Sequence, residues 1–174
     1  MFVIMCGLPL SGKTCVSKVL FDFENDWVFR PSDYLPLNFD TLDENEKSQY
    51  YIASWQISVQ NIEKLLPKLD NDRIIVFDCC NSKSSAINNL MRIAHREKHK
   101  ICLIYVSSDS KSCIERSNDN TIGCDIIKKY ITDLKFSLQV YKKKCDRIII
   151  IKNDGTIEQL ISKCEQVKEN ARIC

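Results

Sequence analysis

Apolar positions along the chain follow two rhythms, a strand-like run or alternation and a helix-like spacing of three to four, and the two trade places from end to end. Residues 2–6 form a continuous apolar run, as in a strand covered on both faces. Residues 12–23 read as a helix with Val16, Val19, Leu20 and Phe23 on one side. Residues 27–30 predict a short strand cut off by Pro31. The longest helical stretch is 43–69, opened by an Asp43/Glu46 capping box. Its expected stripe is Tyr51, Ile52, Trp55, Val59, Ile62, Leu65 and Leu66, and Pro67 ends or kinks the last turn. Residues 73–77 are a β-branched strand running into Asp78, and 84–98 a helix with Ile87, Leu90, Met91 and Ala94 inward. A fourth strand is expected over 101–106, a short helix over 110–118 and a break at 121–123. A helix at 124–143, a strand at 147–152, a turn at 153–155 and a helix at 156–170 complete the chain.

Strands alternating with helices imply an α/β fold with a parallel sheet flanked on both faces, and right-handed crossovers leave few topologies. A length of 174 residues fits one domain over 1–174, and neither a repeat nor a linker interrupts it. The hydrophobic share of 44% and charged share of 28% are globular values that exclude a disordered chain. A formal net charge of +2 gives no broad positive field, which argues against a nucleic-acid coat protein. No signal peptide is evident, and no apolar run approaches the roughly 18–20 residues of a membrane span, so no membrane partner is expected. The ten cysteines include no C-x-x-C pair, and several lie inside apolar runs. A reduced, cytoplasmic protein is the expectation.

The candidate chemistry begins where the first strand meets the first helix. Gly7-Leu8-Pro9-Leu10-Ser11-Gly12-Lys13-Thr14 satisfies G-x-x-x-x-G-K-[ST], the Walker A pattern, in the strand-then-helix context that the pattern requires. Glycines let consecutive N–H groups turn around an anion, and the helix N-terminus adds partial positive charge. Lys13 is expected on the β- and γ-phosphates, the Thr14 hydroxyl on Mg²⁺, and Cys15 beside them at the cofactor site. ATP and Mg²⁺ are the expected cofactors.

Ligands collect at the C-terminal ends of strands in open α/β sheets. Asp33 follows the second strand and reads either as a general base for an acceptor hydroxyl or as a turn residue after Pro31. Asp78 ends the third strand after an apolar run, as a Walker B carboxylate holding Mg²⁺ or as a helix N-cap. Asn81 reads either as a polar contact or as the cap of the next helix, the cap being preferred. Arg116 is a lid arginine over the phosphates or a solvated helix-end cation. His95 and His99 stand four apart without a third ligand in view, and Lys142–Lys144 reads as a solvated helix end.

With Gly7–Thr14, Asp33, Asp78-Cys79-Cys80-Asn81 and Arg116 in this order, the chain resembles the small P-loop kinases related to the bacteriophage 5′-hydroxyl polynucleotide kinase domain. That resemblance implies strand order 2-3-1-4-5 in a three-layer sandwich and a small helical lid at about 110–128. It also implies ATP as donor, Lys13 and Arg116 on the phosphates, Asp33 as base, and the 5′-OH end of a DNA or RNA chain as acceptor. Asn120 stands where a second lid arginine is found in that group, and Pro36 where an arginine engages the nucleic-acid phosphate. The opening Ile4-Met5-Cys6-Gly7-Leu8-Pro9 also looks like the seryl-tRNA kinase and Elongator-associated ATPase group. Members of that group usually carry a further RNA-binding domain, whereas one short helix follows Leu160 here. This second resemblance implies a tRNA-related or regulatory ATPase; a kinase of a small metabolite or nucleoside is the remaining alternative.

Overall fold

The structure is a computed structural model that describes residues 1–70, 73–117 and 124–171. Five strands, β1 (Phe2–Cys6), β2 (Trp27–Phe29), β3 (Ile75–Phe77), β4 (Ile101–Ser107) and β5 (Arg147–Lys152), form one parallel sheet in the order β2-β3-β1-β4-β5. This is the order implied by the resemblance. Between the strands run α1 (Lys13–Leu20), α2 (Glu44–Leu65), α3 (Asn88–Arg96), α4 (Ser110–Ser117) and α5 (Cys124–Lys144), and α6 (Ile157–Ala171) follows β5.

The central strand shows why the run 2–6 has no alternation. Phe2, Ile4 and Cys6 meet Ile62 of α2, Leu90 of α3 and Tyr141 of α5 on one face. Val3 and Met5 meet Val16 and Leu20 of α1 and Leu160 and Cys164 of α6 on the other. Every side chain of β1 is buried. Each such large apolar side chain contributes roughly 1.5–3 kcal/mol. The centre of the sheet is therefore covered on both faces.

Two helices depart from the expected pattern. α1 stops at Leu20, because the Asp22 carboxylate accepts from Glu24 N–H at 3.0 Å and Asn25 Nδ2 at 2.6 Å and folds the next residues into a turn. Phe23 is consequently outside the core, under the Arg30 guanidinium at 5.4 Å. In α2 the capping box forms as expected, with Asp43 accepting from Glu46 N–H at 2.8 Å and Glu46 from Asp43 N–H at 3.1 Å. Its stripe is corrected in the first half: Tyr51 and Ile52 are exposed, while Ser54 and Ser58 face inward. The two serines donate to the carbonyls of Tyr51 and Ser54, both at 3.0 Å, so their hydroxyls are satisfied without solvent.

Candidate functional site

The site is built on the β1–α1 junction. Gly7 takes φ +152°, and a Cβ there would lie 2.5 Å from the Val106 carbonyl oxygen and 2.8 Å from Ser11 Oγ. Gly12 takes φ +92°, and its Cβ would lie 2.6 Å from Asn153 Nδ2. Both positions thus require glycine for space as well as for backbone angle. Leu10 between them is held at φ 61°, a left-handed conformation that a branched side chain adopts at a cost.

The loop is pinned from behind. Gly7 N–H donates to the Cys80 carbonyl at 3.1 Å, Ser11 N–H to Leu8 at 3.2 Å, and Asn153 Nδ2 to the Ser11 carbonyl at 2.9 Å. The N–H groups of Gly12, Lys13 and Thr14 find no acceptor among the described residues, and Ser11 Oγ is buried without a partner. The first N–H groups of a helix have no intrahelical partner, and together with the buried Ser11 hydroxyl they form a set of donors that a phosphate would fit. Lys13 is buried and lends Nζ to the Leu8 carbonyl at 2.6 Å, on the rim of the same loop. Thr14 is exposed at the start of α1.

Around this loop the sequence-predicted residues fall as follows. Arg116 reaches back from the end of α4, Nη1 donating to the Leu10 carbonyl at 3.0 Å and meeting Ser108 Oγ at 3.5 Å. This last turn of α4 therefore rests on the phosphate loop. Asp78 has its side chain almost fully buried, and Oδ2 accepts from Ser17 Oγ and from Arg30 Nε, both at 2.9 Å. It is not a helix cap; it ties β3 to the second turn of α1. Asp33 lies in a one-turn 3₁₀ segment, Pro31–Tyr34, with its side chain 53% exposed. Arg30 Nη1 stands 3.5 Å from both of its oxygens. Asn120 lies outside the described residues, as do the other residues of 118–123 in the expected lid.

Asn81 is not the cap that the sequence suggests. At φ 44° its Nδ2 donates to the carbonyls of Met5 at 2.8 Å and Phe77 at 3.2 Å, and its own carbonyl accepts from Tyr141 Oη at 2.7 Å. It braces the ends of β1 and β3 directly beneath the loop. His95 and His99 are turned to main-chain carbonyls, of Lys144 at 2.9 Å and Leu66 at 2.8 Å. Burial pushes the Cys6 thiol up to about 12, so it packs as a neutral group at physiological pH. The eight cysteines whose side chains are described are free.

Two residues at the site were missed. Arg30 bridges Asp78 and Asp33, and its Nη2 is buried without a partner. The available signal was a cation at the C-terminal end of a strand. Asn153 read as a turn residue, and nothing local to 153–155 points to Ser11.

The model of the family described as chromatin associated protein KTI12 matches residues 1–173. The chain belongs to the KTI12 family. Of the two resemblances drawn from the sequence, the match supports the Elongator-associated group, not the bacteriophage polynucleotide kinases. No curated protein sequence matches this KTI12-family chain. Its fold is similar to the crystal structure of Chaetomium thermophilum Kti12 in complex with ADP–AlF3, with TM-score 0.57 and 14% identity over 97% of this chain and 98% of that one. It is equally similar to a gluconokinase from Sinorhizobium meliloti 1021, with TM-score 0.59 and 12% identity over 98% and 94%. The fold is thus that of P-loop kinases. No helix among the described residues is long and apolar enough to cross a membrane.

Proposed function

We propose that this KTI12-family chain binds Mg-ATP on the loop Gly7–Thr14 and hydrolyses it as a regulatory ATPase. The observation that carries the reading is the cradle itself: three N–H groups and the buried Ser11 Oγ without acceptors, inside a loop that two glycines make narrow. The ADP–AlF3 complex of the Chaetomium Kti12 supports the same ligand class.

The chain's own residues divide the work. Lys13 exchanges the Leu8 carbonyl for the β- and γ-phosphates, a short swing of one amine. Arg116, already on the Leu10 carbonyl, adds a second cation as negative charge shifts toward the leaving oxygen. Asp33, exposed at the mouth, accepts a proton from the attacking water. Magnesium fits the donors present, since the Thr14 hydroxyl is exposed and Asp78 Oδ1 carries no hydrogen bond from the described residues. The bound ion would neutralise phosphate charge.

Transfer to a hydroxyl acceptor, including the 5′-OH of a polynucleotide, is the second reading. What favours it is the exposure of Asp33, which leaves room for an acceptor larger than water. The family's description as chromatin associated favours a nuclear place of work over a cytoplasmic one.

The test is γ-labelled Mg-ATP offered with 5′-OH DNA and RNA oligonucleotides, whole tRNA, nucleosides and water, with Asp33→Ala and Lys13→Ala as controls. Label in free phosphate, lost in Lys13→Ala and altered in rate by tRNA or a protein partner, is the expected result. Label on a 5′ end that disappears in Asp33→Ala would replace hydrolysis by kinase chemistry.

A further inference from the structure

Parallel pairing of β2 with β3 sets Phe29 opposite Phe77, and the next residues along the two strands are Arg30 and Asp78. Residues in register on adjacent strands share a face of the sheet, and these two meet there: Arg30 Nε donates to Asp78 Oδ2 at 2.9 Å. The main chain fixes the same corner, with the Asp78 N–H donating to the Phe29 carbonyl at 2.9 Å. Pro31 then opens the 3₁₀ turn Pro31–Tyr34, and in such a turn residues three apart stand above one another. Asp33, three residues after Arg30, is thereby brought to the other end of the guanidinium, whose Nη1 lies 3.5 Å from both of its oxygens.

The three side chains are held unequally. Asp78 is 1% exposed and also accepts from Ser17 Oγ at 2.9 Å. Arg30 is 14% exposed and lies over the Phe23 ring at 5.4 Å. Asp33 is 53% exposed, and Arg30 is its sole side-chain partner among the described residues. That ion pair is longer than the roughly 2.7–2.9 Å of a strong charge-assisted bond, so the carboxylate is oriented while its lone pairs stay open to a proton. Stability alone does not account for the pose, because it leaves Nη2 buried without a partner. What the pose achieves is a rigid planar fork between one buried carboxylate and one exposed carboxylate. Ser17 in turn belongs to α1, the helix that opens with Lys13 and Thr14. A continuous chain of contacts therefore runs from the helix behind the phosphate loop through Ser17, Asp78 and Arg30 to Asp33.

We propose that Arg30 is a positioning residue for ATP hydrolysis, fixing the direction of the Asp33 carboxylate relative to the phosphate loop; this rests on the reading of Asp33 as the proton acceptor. Arg30 makes no hydrogen bond to the loop Gly7–Thr14, so its loss should slow the chemical step and leave nucleotide binding intact. Misplacing a reacting group by about 1 Å can cost roughly 10²-fold in rate.

The test is a double-mutant cycle on the full chain. It is read by single-turnover hydrolysis of γ-labelled Mg-ATP, with a fluorescent ADP analogue titrated to count sites. Arg30→Gln should lower the hydrolysis rate constant at least tenfold, while the analogue binds at the parent stoichiometry and within threefold of the parent affinity. Because Arg30→Gln also strips buried Asp78 of its charge partner, Arg30→Lys is the second variant. Its single ammonium can stay on Asp78 and keep the fold but does not span both carboxylates, so the rate constant should still fall at least fivefold. In the Asp33→Ala background either change should alter the residual rate less than twofold, since no carboxylate is left to position. A merely structural loss would instead multiply onto that of Asp33→Ala. Parental rates in the Arg30 variants, or multiplication in the cycle, beside a slow Asp33→Ala would overturn the positioning role alone. So would loss of analogue binding in both Arg30 variants, which would make Arg30 part of the binding scaffold. Parental turnover by Asp33→Ala would overturn the base assignment and the positioning role with it.

Discussion

Gly12 and Asn153 should be energetically coupled across the whole chain. A Cβ at Gly12 would stand 2.6 Å from Asn153 Nδ2 and 3.3 Å from Leu160 Cδ2. Leu160 can absorb its share by a shift of a few tenths of an ångström. Asn153 cannot: it is buried, and the same Nδ2 donates to the Ser11 carbonyl at 2.9 Å. Gly12→Ala therefore incurs two costs. The backbone angle of φ +92° disfavours an L side chain by roughly 1–2 kcal/mol. Displacing the amide leaves the Ser11 carbonyl unpaired, a further cost of about 1–3 kcal/mol. The sum of about 2–5 kcal/mol corresponds to a drop in melting temperature of roughly 4–20 °C for a chain of this size. Asn153→Ala alone incurs only the second cost. In the double variant that cost is counted once, so the two substitutions should fall short of additivity by about 1 kcal/mol or more. Urea denaturation of the four proteins measures the cycle. Additivity within about 0.3 kcal/mol would refute the account, because it would mean that the asparagine amide does not limit the space at Gly12.

Lys13→Ala should abolish ATP hydrolysis while shifting stability little, since Lys13 makes a single hydrogen bond to Leu8; turnover and thermal melting check the two halves. Arg30→Gln removes the cation between Asp78 and Asp33 and leaves a buried carboxylate short of its charge partner, so chemical denaturation should show a loss of about 3–5 kcal/mol, and Arg30→Lys a smaller one. Asp146 accepts the Ile101 N–H at 2.9 Å and pairs with Lys100, and these hold its carboxyl below the ordinary value. Its stabilising contribution is present above the unfolded-state value and is lost as pH falls through the lower folded value, so Asp146→Asn should cost stability at pH 7 and nearly none at about pH 2. Tyr141→Phe deletes a buried hydroxyl that donates to the Asn81 carbonyl at 2.7 Å and should cost roughly 1–2 kcal/mol in the same denaturation assay.

The phosphate loop was legible because its chemistry is written in consecutive residues, where spacing alone sets geometry. The strand order was not in the periodicity; it came with the resemblance, since five parallel strands can be ordered in several ways that all bury Phe2–Cys6. Tyr51 and Ile52 misled because helical spacing marks a face without saying what lies opposite it. Here α2 packs on the turn Pro31–Tyr34, and its buried positions before Ile62 are the small serines Ser54 and Ser58. Phe23 misled for a local reason, an aspartate two residues past the helix end that captured the backbone. The partners of Asn81 and Arg30 were not legible, because they are Met5, 76 residues away, and Asp78, 48 residues away.

The brace from Asn153 to Ser11 also has a consequence in time. The motif at 7–14 leaves the ribosome early, but the residues that hold its shape, Asn153 and Leu160, are made about 140 residues later. At roughly 5–20 residues per second the nascent chain spends many seconds with its Walker sequence exposed and no backing to shape it. Nucleotide capture therefore waits for residues 153–160, and a ribosome-bound chain that stops short of 153 should fail to retain ATP although its whole binding motif has been synthesised.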